Sequence, residues 1–185
     1  MMTTYPKKIV AILLSATYMA AASAYADKMD DYAAYCSESG GMVEEMPAEI
    51  GTGSGLVKGQ SKMFCNFNIG NGFVAIGLET FSAEKPSIAA TFIKKMNELA
   101  DDSPLWKGQF SNPSGNVCKN LGGSSIGFVA NGGFANHLGQ SDVCVFGDGS
   151  MVSAWSLIYM ASHREGYDEI KHKVKADPLN IYIPK

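Results

Sequence analysis

Cys36-Ser-Glu-Ser-Gly-Gly41 and Cys118-Lys-Asn-Leu-Gly-Gly123 spell the same pattern, C-x-x-x-G-G, twice in one chain of 185 residues. Further matches follow each in the same order. Gly59-Gln-Ser-Lys-Met-Phe-Cys65-Asn-Phe67 aligns with Gly139-Gln-Ser-Asp-Val-Cys144-Val-Phe146 with one residue deleted. Asn71-Gly72 aligns with Asp148-Gly149, and Asp102-Ser-Pro-Leu105 with Asp177-Pro-Leu179. Ordered self-similarity is the mark of a repeated structural unit. The chain reads as two tandem modules, residues 27–111 and 112–185, behind a leader.

The leader is residues 1–26. Lys7 and Lys8 precede the apolar run Ile9–Leu14, and small residues lead to Ala24-Tyr25-Ala26. A basic start, a short apolar centre and an A-x-A site are the parts of a secretory signal peptide, with cleavage expected after Ala26. No later stretch is apolar for long enough to span a bilayer as a helix. All four cysteines, Cys36, Cys65, Cys118 and Cys144, follow the leader. An even count in an oxidising compartment predicts disulfides, and four cysteines allow three pairings. The repeat selects the simplest, Cys36 with Cys65 and Cys118 with Cys144. The expected location is the periplasm or the medium, and a folded, oxidised chain of this kind suits type II secretion. The formal net charge of −3 argues against nucleic acid and against anionic membrane surfaces, which attract basic patches.

Each module reads as helix, three strands, helix, strand. Asp30–Cys36 forms a short helix stopped by Gly40-Gly41, and Asn112-Pro113 offers a cap and first-turn proline for its counterpart. Strands are expected over 42–46 and 126–130, then Gly-rich loops over 47–59 and 131–139, then Cys-centred strands over 62–68 and 142–146. N-G and D-G turns lead to third strands over 73–81 and 151–160. Ile88, Phe92, Ile93, Met96 and Leu99 share a helical face, as do Tyr167, Ile170 and Val174. Short strand-like ends are read at Leu105-Trp106 and Ile181–Ile183. The fold class is α+β, with two repeats that each pack helices on a small antiparallel sheet stapled by one disulfide.

The second module resembles a small family of exported bacterial domains of unknown function whose members often carry the label haemolysin. The resemblance rests on Asn112-Pro113, Cys118-x-x-x-Gly122-Gly123, Cys144-Val145-Phe146-Gly147-Asp148-Gly149 and Trp155. It covers about 45 residues. The first module departs from the pattern at Asn66 and Gly70, and Leu78 stands where Trp155 does. A further cysteine that family members often carry after D-G is replaced here by Ser150-Met151. The resemblance implies an exported, disulfide-stapled α+β module, and the label itself implies no mechanism.

Motifs that would carry chemistry lack their context. Gly123-Ser-Ser125-Ile-Gly127 fits the nucleophile elbow, but that motif needs a strand before the serine and a helix after it, the reverse of the order here. His137, His163 and His172 form no metal-ligand spacing, so no metal and no cofactor are expected. Gly51-Thr-Gly-Ser-Gly55 lacks the Lys-Ser/Thr ending of a phosphate loop. Glu44, Glu45 and Glu49 have no partner acid or base placed by the sequence and read as a solvated edge strand. The two Gly-rich loops occupy the same place in each module and differ in content, as binding loops on a fixed scaffold do. Leu56 and Lys58 in the first, and Phe134, Asn136 and His137 in the second, are the candidate binding residues. The expected function is that of a non-enzymatic protein- or peptide-binding module, inhibitor-like or effector-like. The alternatives are a hydrolase-type enzyme with an unrecognised site, and the membrane-active factor that the family label suggests.

Overall fold

The computed structural model describes residues 25–70, 72–130 and 140–184. Helix α1 occupies 25–38, followed by strands β1 (Met42–Thr52), β2 (Gly55–Ile69) and β3 (Gly72–Gly77) and helices α2 (Leu78–Ser82) and α3 (Ile88–Lys95). A 3-10 turn at Pro104–Trp106 leads to α4 (Pro113–Asn120), β4 (Ser124–Val129), β5 (Gln140–Val145), β6 (Met151–Ser153), α5 (Ala154–Ala161) and α6 (Tyr167–Lys173). Residues 1–24, which hold most of the expected leader, and the candidate binding residues Phe134, Asn136 and His137 lie outside the described residues.

The C-x-x-x-G-G pattern is a helix stop that doubles as a disulfide seat. Gly40 and Gly122 both take the left-handed conformation at φ +84°. The N–H of Gly40 donates to Ser37 O at 3.0 Å and that of Gly41 to Cys36 O at 2.9 Å, and Gly122 and Gly123 repeat the pair on Lys119 and Cys118. This is a Schellman cap, which requires a residue without a Cβ penalty at the left-handed position. The second glycine has a different cause. A Cβ on Gly41 would stand 2.6 Å from Cys65 Sγ, and one on Gly123 2.5 Å from Cys144 Sγ. The cap aims each helix cysteine at the neighbouring strand, and the bonds formed are Cys36–Cys65 and Cys118–Cys144, the pairing within each half.

The strands form one closed barrel in the order β1-β2-β3-β6-β5-β4, which corrects the expectation of a separate sheet in each half. A three-stranded sheet standing alone exposes two unpaired edges. Here the first strands of the two halves pair, with Ala48 beside Phe128, and so do the third strands, with Ile76 beside Val152. Side-chain hydroxyls reinforce the seam between the third strands reciprocally. Met151 N donates to Thr80 Oγ1 at 2.9 Å, and Ala75 N donates to Ser156 Oγ at 3.4 Å. Thr80 and Ser156 are each the third residue of their helix, α2 and α5.

Two cores result, and both halves contribute to each. Inside the barrel Met46, Phe64 and Ala75 pack with Phe128, Val143 and Met151, and the Phe64 and Phe128 rings lie 5.1 Å apart. Outside it the helices cover Phe67, Phe81, Phe92, Phe146, Leu157, Met160 and both disulfides. No helix among the described residues is long and apolar enough to cross a membrane.

Three expected elements are corrected. The loop over 47–59 is strand: β1 and β2 run on to a tight turn, Thr52 facing Gly55, with Thr52 Oγ1 donating to Gly55 O at 2.7 Å. Pro47 is tolerated because the register shifts there, and a bulge accommodates a residue with no N–H. The third strands are shorter than expected, ending at Gly77 and Ser153, because these residues begin helices α2 and α5. The apolar run Ala154–Ala161 is compatible with a buried strand or a buried helix by pattern alone. The strand-like ends are a 3-10 turn at Pro104–Trp106 and an irregular segment at 181–183.

Candidate functional site

Beyond Glu49, β1 and β2 pair only with each other among the described residues and form a ribbon that leaves the barrel. Ile50 faces Val57 across the ribbon, and Leu56 faces Gly51, so Leu56 points to the opposite surface. All three are exposed, at 50%, 46% and 69% of their surface, unlike the apolar side chains of the two cores. Lys58 is exposed and stands opposite Glu49, a favourable cross-strand pairing of charge. The structure therefore puts Leu56 and Lys58 on a ribbon rather than on a loop. β4 runs antiparallel to β1, so its end at Val129 lies toward the start of β1. The β1–β2 turn and the end of β4 thus lie at opposite ends of the barrel.

A concavity of about 510 Å³ lies beside the base of the ribbon. Its walls are Gln60–Met63 of β2, Gly77–Thr80 where β3 turns into α2, the turn Asp148–Met151 of the other half, Tyr25 and Met29 of α1, and the segment from Ala83 to Ser87 before α3. Asp148 is engaged there. Its Oδ2 accepts from Ile88 N at 2.8 Å, and its Oδ1 accepts from Ser150 N at 3.0 Å and Ser150 Oγ at 2.6 Å. Burial works to raise its pKa, and these hydrogen bonds outweigh it and hold the carboxyl below its ordinary range. A carboxylate at the first turn of α3 also meets the positive end of the helix.

Because that pKa is depressed in the fold, the contribution of Asp148 to stability is complete above the unfolded carboxylate range and is lost as pH falls through the folded value. Asp148→Asn is expected to lower stability by about 1 kcal/mol near neutrality, the usual worth of a helix N-terminal cap. It should also flatten part of the acid limb of a pH–stability profile from urea unfolding. An unchanged profile would show that α3 does not depend on this cap.

The remaining sequence candidates are placed apart. Ser125 sits within β4 opposite Cys144, with a helix before it and strand after it, so it is not on an elbow. Glu44 accepts from Asn66 Nδ2 at 3.2 Å. His163 Nδ1 and His172 Nε2 flank Asp168 at 2.9 Å and 3.5 Å, with both rings well exposed. Among the described residues no group of three or more His, Cys, Asp or Glu is placed to hold a metal ion.

Lys62, Glu79, Ala83 and Lys85, all at the concavity, are residues that the sequence reading passed over. The available signal was the comparison of the two halves: Glu79 and Ala83 are the positions where the other half has Trp155 and Tyr159, counted from the first residues of α2 and α5. Aligning Leu78 with Trp155 is one residue out. No family model, no curated protein and no solved structure matches this chain.

Proposed function

We propose that the chain is an exported, non-enzymatic binding protein, built by duplication of one disulfide-stapled module, that engages a protein partner through the β1–β2 ribbon. The observation that carries the reading is the exposure of Ile50, Leu56 and Val57 on both faces of a ribbon that stands outside both cores. Large apolar side chains gathered on a projecting element mark interaction surfaces. Export is supported by the leader pattern and by the pairing of all four cysteines. Duplication is supported by the equivalent Schellman caps, disulfides and reciprocal hydroxyl bonds.

A photo-crosslinking residue placed at Leu56 in the producing organism is expected to give a discrete adduct, and one at the exposed Glu98 is expected to give none. Leu56→Asp with Val57→Asp should weaken the identified partner by about tenfold or more, the loss of at least 1.4 kcal/mol. The thermal midpoint should stay unchanged, because neither side chain packs in a core. Equal adducts at Leu56 and Glu98, or a partner indifferent to the double substitution, would remove the ribbon from the recognition surface.

A further inference from the structure

β2 is longer than the strand beside it. β3 pairs with it from Ile69–Gly72 to Phe64–Gly77 and then turns away as α2. Over Gly55–Met63 no strand covers that edge of β2 among the described residues. On the far side of the gap stands the turn at Asp148–Ser150, and the 510 Å³ concavity is the space between. An uncovered strand edge presents alternate backbone N–H and C=O groups, which proteins normally hide. Here the edge lines a slot in which an added strand would continue the line of β3.

The two halves treat this place differently, a comparison that rests on the duplication proposed above. In the second half Trp155 and Tyr159 project from α5, and their rings stack 5.5 Å apart. Tyr159 packs against Tyr167 at 5.1 Å, and the Arg164 guanidinium lies 4.4 Å from the Tyr159 ring. The corresponding positions of α2 are Glu79 and Ala83, both at the slot. One half fills the space with an aromatic stack, and the other leaves it open.

The two lysines and two acids that line the slot do not pair with one another. Among the described residues neither Lys62 nor Lys85 has a carboxylate at ion-pair distance. Of the acids, Asp148 is taken by Ile88 and Ser150. Glu79 has the ammonium of Lys28 nearby, a charge favoured first by a hydrogen bond to Tyr32 and further by Glu79.

We infer that this slot receives an extended peptide segment bearing a carboxylate side chain, which adds as a strand to the edge of β2 at Gln60–Met63 and sets its carboxylate between Lys62 and Lys85. Main-chain bonds to a sheet edge supply affinity in such complexes, and the flanking pocket supplies specificity. The segment is recognised by its backbone and one acid, so the site is separate from the apolar ribbon surface and stands or falls independently of it.

The test is fluorescence anisotropy on the oxidised, exported chain with short labelled peptides of alternating Thr and Val carrying a central Glu, Gln or Lys. The Glu peptide is expected to bind about tenfold tighter than the Gln peptide, a 1.4 kcal/mol preference. That preference should shrink with added salt. Lys62→Glu with Lys85→Glu should abolish it. Glu79→Trp puts the aromatic of the other half into the slot and should weaken all three peptides by about tenfold or more. Glu79 is exposed, so the thermal midpoint should hold, and the lysine pair provides a second reading if it does not. A backbone N-methylated Glu peptide should fail to bind. Equal affinity for the three peptides, no binding at millimolar peptide, or binding unaffected by either set of substitutions would overturn the inference. So would full displacement of the Glu peptide by equimolar free glutarate, which would assign the slot to a small carboxylate.

Discussion

Expressed apart, residues 27–111 and residues 112–185 will each fail to show a cooperative thermal transition as monomers, although each retains its own disulfide. The reason lies in how the barrel closes. Each half supplies three strands, and both seams join one half to the other, β1 to β4 and β3 to β6. A half alone would expose both of these edges to water, together with the faces they protect. The barrel interior would lose either Phe128, Val143 and Met151 or Met46, Phe64 and Ala75. The outer core would be divided likewise, separating Phe92 from Phe146, whose rings lie 5.3 Å apart. The hydrogen bonds that side chains make across the seam would be exchanged for water too, since Met151 N relies on Thr80 and Ala75 N on Ser156. Each such exchange costs about 0.5–1.5 kcal/mol, and a small domain has only about 5–15 kcal/mol of stability in all. Co-expression of the two halves should restore the fold as a one-to-one complex with dispersed amide resonances. A monomeric half that melts cooperatively would show that the modules are autonomous and that closure of the barrel adds little.

What the sequence disclosed, and what it hid, follows from the range of the forces involved. The Schellman caps, the disulfide partners and the position of α3 were legible because each depends on residues close in the chain or on a repeated pattern. Gly40 and Gly122 need a left-handed φ, and Ser87 caps α3 through a bond to Ala90 N at 3.4 Å. Closure of the barrel was not legible. It depends on Ala48 meeting Phe128 and Ile76 meeting Val152, contacts between halves that no local pattern encodes. The stretch 47–59 was misread because Pro47 and Gly51, Gly53, Gly55 and Gly59 are turn residues by composition. In the fold a bulge absorbs the proline, and the β1–β2 register absorbs the glycines. Gly59 lies close beneath the Ile50 side chain, which a Cβ there would approach to 3.1 Å. The slot was hidden for a further reason. A concavity is made by what is small, and Ala83 and Glu79 signal nothing until Tyr159 and Trp155 are seen at the matching positions of the other half.

Gly41→Ala is expected to destabilise the chain as much as the loss of the disulfide it faces, and Gly123→Ala to do the same in the other half. The added methyl at Gly41 would meet Cys65 Sγ at 2.6 Å, Cys36 Sγ at 2.9 Å and Phe67 Cε1 at 2.9 Å. The methyl at Gly123 would meet Cys144 Sγ at 2.5 Å, Cys118 Sγ at 3.0 Å and Phe146 Cε1 at 3.2 Å. None of these atoms can withdraw cheaply. The sulfurs are bonded to each other, all four cysteines are almost fully buried, and both rings are packed in the outer core. Overpacking at a site that cannot relax costs about 1–3 kcal/mol. Replacing Cys36 and Cys65 with alanine opens a loop of sequence separation 29, and replacing Cys118 and Cys144 opens one of 26. Each replacement is expected to cost about 3 kcal/mol by the loop-entropy estimate, nearly equal because the loops are nearly equal. The informative quantity is the coupling between glycine and disulfide. Once the sulfurs are gone their share of the clash is gone, and the Phe67 ring, 2.9 Å from the added methyl, can shift into the space they leave, so Gly41→Ala in the Cys36→Ala, Cys65→Ala background should cost about 1 kcal/mol or less, and the cycle should be strongly non-additive. Urea unfolding of the four members of each cycle measures this. Additive losses would mean that the second glycine of C-x-x-x-G-G serves the backbone alone, and the repeated motif would then be a helix stop and not a seat shaped for its disulfide.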